Sequence, residues 1–182
     1  MSNTDKGKET AWEYIQRLTP RIRELRGQFI EESIWIEYFI ELELSLALFQ
    51  QSDSNERQEF ISNFLQGNAE ITFNIKIELL YWILRERFAS EEKMMALREN
   101  LHRIRTFRNV LAHSPLLLPE FIDSNLSTDK LSYWHIQKNK RMVKRQPCHI
   151  SEADIERELE VLNKVKKEIG ELYHVIDITA SP

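Results

Sequence analysis

Six consecutive residues, Arg108-Asn109-Val110-Leu111-Ala112-His113, set a permanently charged guanidinium, an amide and an imidazole within two turns of a predicted helix. At about 100° per residue, Met94, Leu97, Leu101, Ile104 and Leu111 form one apolar stripe, and Arg108 falls inside it. A buried guanidinium without a partner costs several kcal/mol, so Arg108 needs a carboxylate, a carbonyl or a ligand. Asn109 and His113 lie one turn apart on an adjacent face and can approach each other. His113 falls at the helix C-terminus, where the macrodipole favours a cation. Imidazole is also the side chain that trades protons near neutral pH. The same residues admit a structural role, in which Arg108 pairs with Glu37 or Glu41 on an earlier helix and His113 caps the last carbonyls.

The elements that must position these groups read mainly as helices. Residues 1–8 are expected to be disordered, and a single helical domain spans 9–176. A short helix around Trp12, Ile15 and Leu18 should break or kink near Pro20. A long helix over roughly 22–50 then carries Phe29, Ile30, Ile34, Phe39 and Ile40 on its apolar side. Phe60, Ile61, Phe64 and Leu65 suit a short helix stopping at Gly67. A helix over 71–88 has Ile75, Leu79, Trp82 and Ile83 at helical spacing. Ser90 caps the helix 91–113, with Glu91 and Glu92 in its first turn, and Pro115 ends it. An irregular loop covers 115–129. A small β-hairpin occupies about 130–146, as Leu131 to Ile136, a turn at 138–140, and Arg141 to Arg145. Ser151 and Asp154 mark the start of the last helix, with Ile155, Leu159, Leu162, Ile169 and Leu172 along one face. Residues 177–182 form a flexible tail. The fold class is therefore all-α: an up-and-down four- to five-helix bundle with the hairpin before the last helix.

Composition agrees with a globular chain: 42% apolar and 30% charged residues, with only four glycines and five prolines in 182 residues. These counts argue against a turn-rich β sandwich. One cysteine, Cys148, excludes an internal disulfide and suggests a reducing compartment. The polar start, Met1 to Lys6, lacks the apolar run of a signal peptide, and Glu37, Glu41 and Glu43 interrupt the apolar stretch 34–49. A cytoplasmic protein without a membrane partner is expected. The formal charge is −4, yet residues 101–149 hold nine Lys or Arg against three Asp or Glu, a local +6 that leaves −10 on the remainder. A basic segment on an acidic body is a localised anion-binding surface, although exposed helices and hairpins also carry lysines for solubility.

Arg108, a polar residue, three further positions and His113 reproduce the Arg-x-x-x-x-His signature of the HEPN superfamily of ribonucleases and nucleotide-binding helical bundles. The context is similar as well: an upstream helix with Phe73-Asn74-Ile75-Lys76-Ile77-Glu78-Leu79-Leu80, the motif at the end of the next helix, then a loop and a final helix. The resemblance covers roughly residues 22–175. It implies metal-independent RNA cleavage with no cofactor, in a toxin or antiphage defence effector. Arg108 would grip the scissile phosphate, and His113 would act as general acid or base toward the ribose 2′-hydroxyl or the leaving oxygen. Asn109 would orient the histidine or bond the phosphate. Because one histidine serves poorly as base and acid at once, the resemblance also implies a homodimer with two motifs lining one cleft, and an antitoxin or other regulatory protein as partner. Toxin members regulated by a nucleotidyltransferase carry a tyrosine two positions after the histidine, where this chain has Pro115. Other members are catalytically silent nucleotide-, RNA- or protein-binding modules.

Basic and aromatic groups elsewhere are candidates for RNA contact: Arg105 beside the motif, then Tyr133, Lys138, Lys140, Arg141, Lys144 and Arg145 in the hairpin, with Trp134 and His135 between them. Cys148-His149 lacks a second pair at zinc spacing, and no metal site is expected. Glu37, Glu41 and Glu43 have the residue type of a magnesium cluster, but one of them is expected to serve Arg108 instead. Trp12, Trp35 and Trp82 read as core or interface.

Overall fold

A computed structural model describes residues 11–49, 54–68, 70–87, 90–113, 130–139 and 142–179. Helix α1 spans Ala11–Leu48, and α2 (Ser54–Glu59) runs on into a wider π-helical segment, Phe60–Gln66. Helix α3 covers Phe73–Arg87 and α4 covers Glu91–His113. Strands β1 (Lys130–Asn139) and β2 (Met142–Ser151) pair antiparallel, and α5 (Glu152–Thr179) closes the chain. This is the helical bundle with one hairpin that the periodicities predict.

Pairs between helices give their directions. Arg21 meets Glu152 and Glu32 meets Lys166, so α1 and α5 run the same way. Arg26 meets Ala112 and Phe29 meets Phe107, so α4 runs against α1. Asn74 with Arg105 and Glu78 with Arg98 set α3 against α4. The α2 and π segment is the short return stroke between α1 and α3. Around the bundle, α1 touches α3 and α5, α4 touches the same two, and α1 and α4 meet across the diagonal.

Two termini follow their sequence signals closely. Helix α4 has the expected bounds, with the Lys93 N–H directed at Ser90 Oγ, and its stripe of Met94, Leu97, Leu101, Ile104 and Leu111 is buried. A reciprocal capping box opens α5: the Ser151 N–H donates to Asp154 Oδ2 at 2.9 Å, and the Asp154 N–H donates to Ser151 Oγ at 3.1 Å. Hydrogen bonds from the Ser151 hydroxyl and backbone hold the Asp154 carboxyl below its ordinary pKa.

Other expectations need correction. Helix α1 carries on through Pro20. Proline removes one ladder bond at a cost of about 3 kcal/mol, but Ile22, Leu25 and Phe29 just beyond it are buried and Arg21 is tied to α5, so packing holds the helix. The buried face of α3 is Phe73, Ile77, Leu80 and Leu84, whereas Ile75, Leu79 and Trp82 point outward. On α1, Phe29 and Ile40 are buried, joined by Ile36 and Leu44, while Ile34 and Phe39 are exposed. Trp35 and Trp82 are not core residues, and Trp12 falls outside the described side chains. Gly67 ends the π segment in ordinary right-handed geometry, and its lack of a side chain matters for space: a Cβ there would lie 2.9 Å from the Ser62 carbonyl oxygen. The hairpin is longer than expected and reaches Ser151, because a two-stranded ribbon has only edge strands and tolerates Pro147 opposite Trp134. Helix α5 continues to Thr179, so 177–179 belong to it and not to a tail. The expected disordered start at 1–8, the loop 115–129 and the tail beyond 179 lie outside the described residues. Among the described residues no helix is long and apolar enough to cross a membrane.

Phe29, fully buried and edge-on to Phe107 at 5.0 Å between centroids, joins α1 to α4. Phe29→Ala is expected to lower unfolding free energy by about 3–5 kcal/mol in urea titration. A loss below about 1 kcal/mol would show that this contact is peripheral.

Candidate functional site

Three arginines project from the second half of α4, each to a different neighbour. Arg103 forks onto Glu158 of α5, donating from Nε at 2.8 Å and from Nη2 at 2.7 Å. Arg105 donates from Nη1 to Asn74 Oδ1 in the first turn of α3 at 2.6 Å, while its buried Nε meets no partner. Arg108 is half-buried. Its guanidinium carbon lies 5.7 Å from the centre of the Phe73 ring, and its Nη1 donates to Glu37 Oε2 at 2.7 Å. Of the two carboxylates on α1 weighed as partners for Arg108, the structure selects Glu37.

Glu37 does not serve Arg108 alone. Lys76 of α3, with a side chain only 5% exposed, donates from Nζ to Glu37 Oε1 at 2.7 Å and to Glu41 Oε1 at 2.5 Å. Gln66 Nε2, at the end of the π segment, donates to Glu41 Oε2 at 2.7 Å. The chain Arg108–Glu37–Lys76–Glu41–Gln66 thus ties α4, α1, α3 and the π segment together. Two acids and two bases make it neutral, as burial requires. Burial pushes the Glu37 carboxyl up, but the hydrogen bonds from Lys76 and Arg108 outweigh it and leave the pKa below the ordinary value. Burial likewise pulls Lys76 down, and the bonds to Glu37 and Glu41 more than reverse it.

A magnesium cluster at Glu37, Glu41 and Glu43 is therefore not what forms. Lys76 occupies the place between Glu37 and Glu41 that a cation would take, and Glu43 faces elsewhere in the core. Among the described residues no group of three or more metal-ligating side chains converges.

Asn109 and His113 are exposed, and among the described residues neither has a hydrogen-bond partner. Arg26 Nη2 of α1 donates to the Ala112 carbonyl at 3.4 Å, and among the described residues no hydrogen bond joins the His113 side chain to the last carbonyls of α4. Because α4 stays regular to His113, the separation of about 140° between Arg108 and His113 expected from the helical repeat persists. The structure brings Arg105 and Arg108 together at the first turn of α3 and leaves His113 on another side of the same helix end. In the hairpin, Tyr133 stands opposite Cys148, Lys138 opposite Val143, Lys144 opposite Gln137 and Arg145 opposite Ile136. Lys140 and Arg141 lie outside the described residues.

Sequence reasoning missed Lys76, Asn74, Gln66 and Arg26. For Lys76 a signal exists: it is a lysine flanked by the buried Phe73, Ile77 and Leu80 on one helix, and such a residue needs an acid across the interface. A groove of about 420 Å³ opens over the network, lined by Ile34, Trp35, Glu37, Tyr38, Glu41 and Gln66. On α4, the Arg98 fork and His102 Nε2 both engage Glu78, and the Arg98 bonds chiefly hold that carboxyl below its usual range. No protein-family model, curated protein or solved structure matches this chain.

Glu43 is buried, its Oε2 has no partner, and desolvation raises its pKa from 4.5 to about 7. A carboxyl with a raised folded pKa holds its proton while the unfolded chain releases it. Stability is therefore lost as pH climbs from about 4.5 to about 7, by roughly 3 kcal/mol in all. Glu43→Gln should gain on the wild type across that window in urea titrations at successive pH values. A difference independent of pH would contradict the buried-acid assignment.

Proposed function

We propose that the chain is an HEPN-like endoribonuclease that cleaves RNA without a metal ion, as a toxin or antiphage effector. The observation that carries this reading is the pairing of Arg105 and Arg108 at the first turn of α3, with Asn109 and His113 exposed at the end of the same helix. A helix N-terminus and two guanidiniums favour a phosphate. In the reaction, a ribose 2′-oxygen gives up its proton to a base and attacks the adjacent phosphorus. The P–O5′ bond breaks, and the leaving 5′-oxygen takes a proton from an acid. The products are a 2′,3′-cyclic phosphate and a 5′-hydroxyl, with no co-reactant consumed. Arg108 stabilises the added charge on phosphorus, His113 transfers one of the two protons, and Asn109 orients the histidine or bonds the phosphate. Because Arg108 and His113 face different sides of α4, and because the second proton transfer calls for another histidine, the site is completed by a second chain. Hairpin residues Tyr133, Lys138, Lys140, Arg141, Lys144 and Arg145 would extend the RNA track, and an antitoxin or other regulatory protein would restrain it.

One observation favours a second reading. Arg108 already has its carboxylate, Glu37, inside a neutral network, so it can act as a lock between helices in a catalytically silent module that binds nucleotides, RNA or a protein.

Incubation of the purified protein with end-labelled RNA in EDTA separates the two. The first reading expects fragments ending in 2′,3′-cyclic phosphate, and a fall of at least about 10²-fold in rate for His113→Ala. The melting temperature should hardly change, since an exposed helix-end residue contributes at most about 1 kcal/mol. Intact RNA with wild-type protein, or equal rates for wild type and His113→Ala, would reject catalysis at this motif.

A further inference from the structure

The outer sides of α1 and α3 carry large apolar side chains where a solvated helix would be polar. Trp35, Tyr38 and Phe39 protrude from α1, and Ile75, Leu79 and Trp82 from α3, with Trp35 51% and Trp82 58% exposed. Among the described residues, α4 adds only Met95 and α5 adds none. The Lys76–Glu37 salt bridge is the seam between the two strips, and the groove over it is walled by Ile34, Trp35 and Tyr38. Trp35 packs against Tyr38 at 6.0 Å and Phe39 at 6.5 Å between centroids, so α1 contributes a continuous aromatic wall. Side chains of this size expose roughly 600 Å² in all at these fractions, at or above the largest patch of an ordinary monomer.

The free charges on this face are of one sign. Glu31 lies one turn before Trp35 and Glu86 one turn after Trp82, so each belongs to its strip. Both are exposed, and among the described residues neither carboxylate has an ionic or hydrogen-bond partner. Glu70, in the turn before α3, is exposed as well and its carboxylate is likewise unpaired among the described residues. The cations on and beside the two strips are already engaged: Lys76 and Arg108 by Glu37 and Glu41, Arg98 by Glu78, and Arg85 by Glu91. The side chains of Arg57 and Arg87 lie outside the described residues.

We propose that this face binds an amphipathic helix of another protein, one whose apolar stripe is flanked by lysine or arginine. Helix α3 has 15 residues, about 22 Å at 1.5 Å each, so four turns of a partner helix fit along it. Apolar side chains at i, i+3, i+4 and i+7 would pack on Trp35, Tyr38, Leu79 and Trp82. The flanking cations would meet Glu31, Glu70 and Glu86. A cation drawn to Glu31 is also within reach of the Trp35 ring one turn on, where cation–π attraction adds to the ion pair. The same carboxylates would repel RNA or an anionic membrane, and a two-fold contact with a second copy would bring acid against acid. The proposal rests on this face alone and holds whether or not the motif cleaves RNA.

Fluorescence anisotropy of labelled synthetic peptides, titrated with the full chain, is the test. A four-turn peptide with leucine at i, i+3, i+4 and i+7 and lysine elsewhere is expected to bind saturably at micromolar concentration, and more weakly as salt rises. The same peptide with glutamate in place of lysine, or with its residues shuffled out of a stripe, should bind at least about tenfold more weakly. Trp35→Ala on α1 and Trp82→Ala on α3 should each weaken the lysine peptide by about tenfold with an unchanged helical circular dichroism spectrum. Glu31→Lys combined with Glu86→Lys should weaken it similarly, whereas Lys167→Glu on the polar side of α5 should leave it as tight as the wild type. If one tryptophan variant fails to fold, the other, on a different helix, still probes the face. No saturable binding, equal binding of the glutamate peptide, or binding unchanged in the folded tryptophan and charge variants would overturn the proposal. So would a peptide-free mass of twice 21.8 kDa that falls to one chain in Trp35→Ala, since a second copy would then occupy the face.

Discussion

Glu37 is the hinge on which this molecule turns. One oxygen accepts from Lys76 of α3 and the other from Arg108 of α4, so a single carboxylate on α1 fixes the relative placement of three helices. Removing ions from water costs several kcal/mol each, and the arrangement is tolerable because every charge in it is answered within about 3 Å. Glu41 and Gln66 extend the same network to the π segment and seat the short return stroke between α1 and α3. The register of α3 against α1 and α4 is thereby specified by directional bonds as well as by apolar packing, which alone tolerates sliding.

This network also decides what the motif can do. Arg108 enters the site already oriented, with a carboxylate on one side and the Phe73 ring beneath it. A phosphate would meet a guanidinium that needs no further ordering, but it would have to share that guanidinium with Glu37. His113 has the opposite character: it is exposed at the end of α4, on another side of that helix. Such a split, with one group pre-organised by the core and one exposed at a helix end, suits a site completed by a bound strand or a second chain.

Much of the scaffold is legible in the sequence. Helix α4 and its buried stripe follow from strict 3.6-residue spacing, Ser90 at one end and Pro115 beyond the other. Helix α5 follows from its Ser151–Asp154 box. The faces of α1 and α3 mislead for one reason: both helices are apolar on two sides, and periodicity cannot tell the side that packs from the side left in solvent. Phe39 and Trp82 fit a helical stripe as well as Ile36 and Leu80 do, and only the neighbours separate them. The need of Arg108 for an acid is legible, because a charge inside an apolar stripe must be paired. Lys76 poses the same problem on α3, and its solution is hidden because its two acids lie 35 and 39 positions earlier. Pro20 misleads in the other direction, since local propensity yields where the next turns are firmly packed.

A double-mutant cycle between Glu37 and Arg108 reaches the centre of the account most directly, using Glu37→Gln, Arg108→Gln and the pair, each measured by urea unfolding. If Glu37 is the anchor described here, the two substitutions are strongly non-additive, with a coupling of roughly 1.5–3 kcal/mol. Additivity within about 0.5 kcal/mol would mean that the two side chains are merely neighbours, and that something else fixes Arg108 in place.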